Sequence, residues 1–150
     1  MMREDCVFCK IIKGEIPSYK LFEDGKTFAM LDRHPLTNGH TLVIPKTHTA
    51  RVEELDSEDA KSLFATVQRI IGPILRSVDA EASTIGINDG PEAGQVVPHV
   101  HIHIVPRSGG DGGGTIHSII GRRLSIDDRS VSDVAERIQS EISKTSQDAT

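Results

Sequence analysis

Tryptophan is absent from the 150 residues, tyrosine occurs once, as Tyr19, and phenylalanine four times. Few aromatic side chains are therefore available for stacking a base. Basic residues are outnumbered, with 17 Lys and Arg against 22 Asp and Glu and a formal net charge of −5. That balance argues against a general nucleic-acid binder, which would carry a basic face. No apolar run approaches bilayer length, so no membrane partner is expected. The opening Met1-Met2-Arg3-Glu4-Asp5-Cys6 is polar and acidic, unlike a signal peptide, and a cytoplasmic protein is expected. There are only two cysteines, Cys6 and Cys9, in a C-x-x-C pair. In a reducing compartment this spacing points to metal or redox chemistry rather than a structural disulfide. What remains is a chain long enough for one domain, 1–150, with a real core.

The most informative stretch is His99-Val100-His101-Ile102-His103-Ile104-Val105-Pro106-Arg107. Three histidines alternate with apolar residues, a period of two. In an extended strand such residues share one face, with the apolar set on the other. Packing alone gives no reason for three imidazoles on one face, since each would need a hydrogen-bond partner and all would repel if charged. The arrangement suits an anion, a metal, or both.

The rest of the chain reads as elements around this strand. Residues 6–16 form a short knuckle and helical turn, ended by Gly14 and Pro17. Strands are expected over 18–23, 27–32, 40–45, 83–88 and 99–106, with Asp24-Gly25 marking a hairpin. A long helix starts at Ser57 as N-cap and carries Leu63, Phe64, Val67, Ile70, Ile71, Ile74, Leu75 and Val78 at helical spacing, with Gly72-Pro73 bending it. Val131, Val134, Ala135, Ile138 and Ile142 mark an amphipathic helix over 130–144, beyond a Gly-rich segment 108–114. Hairpin-ordered strands with segregated helices give an α+β fold with an antiparallel sheet.

The pattern His99-Val100-His101-Ile102-His103-Ile104-Val105 resembles the motif that names the histidine-triad (HIT) nucleotide-binding proteins. Asn88-Asp89-Gly90-Pro91-Glu92-Ala93-Gly94-Gln95 resembles the family's loop leading into that strand, and Leu31-Asp32 with Asn38-Gly39-His40-Thr41-Leu42-Val43-Ile44-Pro45-Lys46 its N-terminal half. The resemblance covers residues 6–107, leaving 108–150 as a C-terminal extension. It implies a five-stranded sheet, a long helix and a twofold homodimer. It implies a structural zinc ion held by Cys6, Cys9, His48 and His99. It also implies covalent attack on an α-phosphate, with His101 as nucleophile through an unprotonated ring nitrogen. A backbone carbonyl or His40 would hold the other nitrogen. His40 takes an orienting or proton-handling role, and His103 binds a phosphate oxygen or protonates the leaving group.

The same resemblance gives Asp32 the two ribose hydroxyls of a purine nucleotide, with apolar Phe8, Ile11, Ile12 and Leu31 walling the base. In the loop, Asn88 and Gln95 offer amide donors, and Gly94 lets backbone approach the phosphate. Amides near Gly94 to Val97 suit an anion nest. Val96 stands where many members carry a Ser or Thr that touches phosphate, so one contact is missing. Pro98 removes a strand N–H. The expected activity is a nucleotide hydrolase acting on phosphoramidates, dinucleoside polyphosphates or adenylated metabolites. A nucleotide-binding regulator with weak catalysis, and a transferase that replaces water with another acceptor, remain alternatives.

Overall fold

The computed structural model describes residues 2–121, 124, 125 and 127–148. It divides into two compact units, residues 1–113 and 114–150. The first unit runs α1 (Val7–Ile12), β1 (Lys20–Glu23), β2 (Thr27–Leu31), β3 (Thr41–Pro45), α2 (Ser57–Ser77), β4 (Ala82–Gly86) and β5 (Ile102–Arg107). The strands form one five-stranded sheet in the order β1-β2-β3-β5-β4, every pair antiparallel. This is the α+β fold expected from the sequence.

Short-range chemistry explains the turns. Asp24 folds the β1–β2 hairpin by accepting the amides of Lys26 and Thr27 on Oδ1, at 2.9 and 2.7 Å. The long helix is capped one residue earlier than expected. Asp56, not Ser57, is the N-cap, and its carboxylate accepts the Glu58 amide at 2.9 Å. α2 continues through Pro73 to Ser77.

Burial differs across the sheet because its middle is covered on both sides. On one face Leu63, Val67, Ile70 and Ile74 of α2 pack on Ala29, Val43, Val100, Ile102 and Ile104. On the other, Phe8 and Cys9 of α1, with Cys6, pack on Phe28, Met30, Leu42 and Ile44. Each fully buried aliphatic side chain here contributes about 1.5–3 kcal/mol. β1 and β4 are the sheet's edges and stay largely exposed.

The triad strand begins later than its alternation suggests. Pairing starts at Ile102, opposite Val43, and residues 99–101 lie outside the ladder. Their backbone groups have other partners: the Val100 amide donates to Thr49 O at 2.7 Å and the His99 amide to Val97 O at 2.8 Å. The connector after β3 thus takes the place of a neighbouring strand.

The second unit holds a short 3-10 turn, Ile116–Ser118, and α3, Asp128–Asp148. Asp127 caps α3 by accepting the Ser130 amide at 2.9 Å and its hydroxyl at 3.1 Å. Val131, Val134, Ile138 and Ile142 of α3 are exposed, as is His117. Among the described residues, no helix is long and apolar enough to cross a membrane.

Candidate active site and metal centre

Two clusters of polar side chains flank His101. The first gathers Cys6, Cys9, His48 and His99, whose ligand atoms all lie within 4.8 Å of one another. Cys6 Sγ is 3.5 Å and Cys9 Sγ 3.8 Å from His99 Nδ1, and Cys9 Sγ is 3.4 Å from His48 Nδ1. A tetrahedral ion with metal–sulfur bonds of about 2.3 Å and metal–nitrogen bonds of about 2.05 Å holds S and N about 3.6 Å apart. The spacing fits.

The proton positions fit as well. His99 Nε2 lies 2.8 Å from Pro45 O, which can only accept, so Nε2 carries the proton and Nδ1 keeps a lone pair toward the cysteines. Burial holds His99 neutral, down to about 4. Burial also pushes the Cys9 thiol up, so its thiolate needs a cation beside it. The four ligands, with no further protein donor required, suit a closed structural site and are consistent with zinc.

The second cluster is Asp32, His40 and His103, again within 4.8 Å. Strand pairing assembles it. Asp32 follows β2, His40 precedes β3, and His103 lies on β5 opposite Leu42. The Asp32 amide donates to His40 O at 2.8 Å, closing the end of the β2–β3 pair. Here a backbone amide sets the tautomers. Leu36 N–H donates to His40 Nδ1 at 3.1 Å, so the His40 proton is on Nε2. That nitrogen lies 2.9 Å from His103 Nδ1, which must accept, and the His103 proton is left on Nε2. A metal in this cluster would displace the His40 Nε2 proton and turn two donors toward each other at Leu36, at a cost of about 1–3 kcal/mol. The cluster is built around a proton, whereas the first is built around lone pairs.

His101 lies between them with the opposite polarity to His103. Its Nδ1 is 2.7 Å from His99 O, so Nδ1–H donates and Nε2 carries the lone pair. The sequence leaves either a carbonyl or His40 to hold this ring. The carbonyl of His99 does so, and His40 turns to His103 instead. His101 as a whole is 7% exposed. His103 is pushed down to about 4, by burial first and then by His101 and His40. Burial lowers His40 too, against the opposing charge of Asp32, whose Oδ2 is 3.6 Å from His40 Nε2.

The remaining expected residues divide. Phe8 is buried, with its ring centroid 5.2 Å from His101 and 5.8 Å from His99. Ile11 and Ile12 are partly buried in the same apolar cluster. Leu31 is not among them. It alternates with Met30 and shares the α2 face with Ala29, where it lines a groove of about 510 Å³ with Leu21, Ile70 and Ile74. Met30 and Leu42 take the place beside Phe8, since Leu42 is paired with both Met30 and His103.

In the loop, Gln95 ties the chain down. Its Oε1 accepts the Gly90 amide at 2.8 Å and its Nε2 donates to Ala50 O at 2.9 Å. Gly94 is left-handed, φ 87°, and a Cβ there would come within 3.8 Å of Asn88 Nδ2, so these two lie together. Val96 is 90% exposed. Asp32 Oδ1 accepts the His34 amide at 2.8 Å. Nothing in the sequence marks Leu36, Pro45, Met30 or Leu42 as parts of the site. The first two act through backbone atoms that carry no side-chain signature, and the last two need the strand register to be assigned a face.

Comparison with known proteins agrees with this geometry. The HIT domain family matches residues 13–110. The chain is 48% identical over 118 residues to protein hit of Bacillus subtilis, covering 75% of this chain and 79% of that one. It is 42% identical over 106 residues to an adenylylsulfatase of Arabidopsis thaliana, covering 71% of this chain and 54% of the relative. It is 38% identical over 106 residues to an adenosine 5'-monophosphoramidase of Candida albicans, covering 68% and 70%. A crystal structure of a HIT family member from Bacillus subtilis superposes with a TM-score of 0.82 at 38% identity, over 91% of this chain and 96% of that one. A zinc-bound histidine triad family protein from Mycobacterium smegmatis superposes with a TM-score of 0.68 at 35% identity, over 91% and 97%. With the motif, the fold and the relatives in agreement, the chain belongs to the HIT family.

Proposed function

We propose that the protein hydrolyses nucleoside 5′-phosphate derivatives at the α-phosphate, through a covalent nucleotidyl intermediate on His101. The observation that carries this reading is the opposed pair of tautomers: a lone pair on His101 Nε2 and a proton on His103 Nε2, on rings 5.0 Å apart. In the first step His101 Nε2 bonds to phosphorus while the bond from phosphorus to the leaving group breaks; the neutral His103 ring donates Nε2–H as a hydrogen bond to a phosphate oxygen, and the leaving group departs as an anion (sulfate, phosphate) or, for an amide, takes its proton from water. In the second, water attacks phosphorus, the phosphorus–nitrogen bond breaks to return His101 Nε2 its lone pair, and the water's proton passes to solvent. His40, held by Leu36, keeps His103 Nε2 a donor.

Asp32 accepts the ribose hydroxyls, and Phe8 and Ile11, with Met30 and Leu42, form the apolar wall for a purine. Asn88, Gly94, Gln95 and Val96 border the phosphate; because the Gly94 and Gln95 amides donate to Pro91 O and Gly90 O within the loop, the donors are the Asn88 side chain and the Val96 amide. Zinc bound by Cys6, Cys9, His48 and His99 would supply structural cross-linking of three chain segments and no step of the reaction. The functional unit is a twofold homodimer in the cytoplasm. The relatives named for adenylylsulfatase and adenosine 5'-monophosphoramidase activity support substrates with a sulfate or amide leaving group.

The test is His101→Asn, assayed on adenylyl sulfate, an AMP amide and a diadenosine polyphosphate. Turnover should fall by about 10³-fold or more while AMP binding, measured by calorimetry, persists. Undiminished turnover would overturn the nucleophile. Wild-type protein that binds AMP but turns over none of the three would favour the regulator.

A further inference from the structure

α1 has only six residues, far fewer than an isolated helix needs to be stable in water. Two of the four metal-cluster residues bracket it, Cys6 at its N-cap and Cys9 within it. Phe8 lies between them in sequence, yet its ring turns toward the catalytic side. It is 7% exposed and meets both His99 and His101 edge-to-face, with interplanar angles of 76° and 74°. His101 also meets His103, centroids 5.0 Å apart at 63°.

A single hydrogen bond at Nδ1 fixes one point of the His101 ring and leaves it free to pivot. The two flanking rings remove that freedom. We infer that Phe8 is a positioning residue, which aims His101 Nε2, and that the metal knuckle bearing Phe8 ties metal loading to this aim. The inference rests on His101 as nucleophile, and it assigns Phe8 a duty beyond walling the base. A wall binds ground state and transition state alike, so its loss moves KM. A positioning contact acts on the reacting atom, so its loss moves kcat. Misplacement by about 1 Å can cost on the order of a hundredfold.

The experiment uses zinc-loaded Phe8→Leu, with Phe8→Met as a second variant that keeps more volume. Zinc content and the thermal melt are checked first, so that at least one folded, loaded variant is compared with wild type. Turnover of the AMP amide should show kcat reduced about tenfold or more, in addition to whatever rise in KM the trimmed wall causes. Nitrogen-15 correlation spectra of the imidazoles, recorded without substrate, should show His101 passing from one Nδ1–H form to a mixture. Graded chelation of wild-type protein should produce the same spectral change. A raised KM with unchanged kcat and an unmoved His101 signal would overturn the inference and leave Phe8 a wall. A changed His101 signal with unchanged kcat would overturn the nucleophile assignment while leaving the ring contact standing, so the two failures are distinguishable.

Discussion

Acid should destabilise this protein through His103 in a manner that one substitution removes. His103 is held neutral, down to about 4 against an ordinary 6.5, chiefly because it is buried and also because His101 and His40 lie beside it. Asp32 pulls the other way without reversing the shift. Between those two values the unfolded chain takes up a proton that the native state refuses. The stabilisation is complete above the unfolded value and drains away as pH falls toward the native one. For a single group with these values the loss is about 1.5 kcal/mol at about pH 5.5 and about 2.5 kcal/mol at about pH 4.5. His103→Gln keeps a polar side chain of similar reach and removes the ionisation. Urea melts of both proteins at about pH 7.5, 5.5 and 4.5 then give the contribution by difference. Groups that do not touch His103 contribute alike to both proteins and cancel in the difference. The variant should lose less stability on acidification than wild type, by about the amounts above. Equal losses would refute the argument that His103 is neutral because it is buried.

Two further outcomes follow from the geometry. Cys9→Ser should lower bound zinc from about one equivalent to well below it, by metal analysis of untagged protein, and should lower Tm by about 5–10 °C as the link between α1, the 46–54 connector and His99 loosens. Gly90→Ala should cost about 1–3 kcal/mol in a thermal melt, because φ there is 104°, a backbone conformation that an L side chain rarely adopts, while the Arg51 guanidinium the new Cβ would meet can swing aside.

The histidine alternation in the sequence was enough to place His101 and His103 on one face, since a period of two survives any shift in where a strand starts. It did not reveal that the ladder begins at Ile102, because the partner of Val100 is the Thr49 carbonyl, and carbonyls leave no trace in a sequence. The five strands and the long helix were legible from turn residues and helical spacing. Asp56 displaced Ser57 as the cap because both residue types serve, and the choice lies in which side chain reaches the Glu58 amide. The sequence alone does not separate Leu31 from Met30 as the neighbour of Phe8, because β2 is covered on both faces, Thr27 to Met30 being buried throughout. A strand covered on both sides carries no pattern that says which way a given residue points. The tautomers of His40, His99 and His101 rest on Leu36 N–H, Pro45 O and His99 O, and only coordinates supply those partners.

His99 serves two neighbours through different parts of one residue: the imidazole faces the cysteines, and the carbonyl holds His101. Every amino acid has that carbonyl, so the ion preference of the centre is tunable by the choice of side chain at position 99 without cutting the tether on the neighbouring imidazole. A protein engineer could change which ion the four side chains suit and keep the same anchoring atom for the His101 ring.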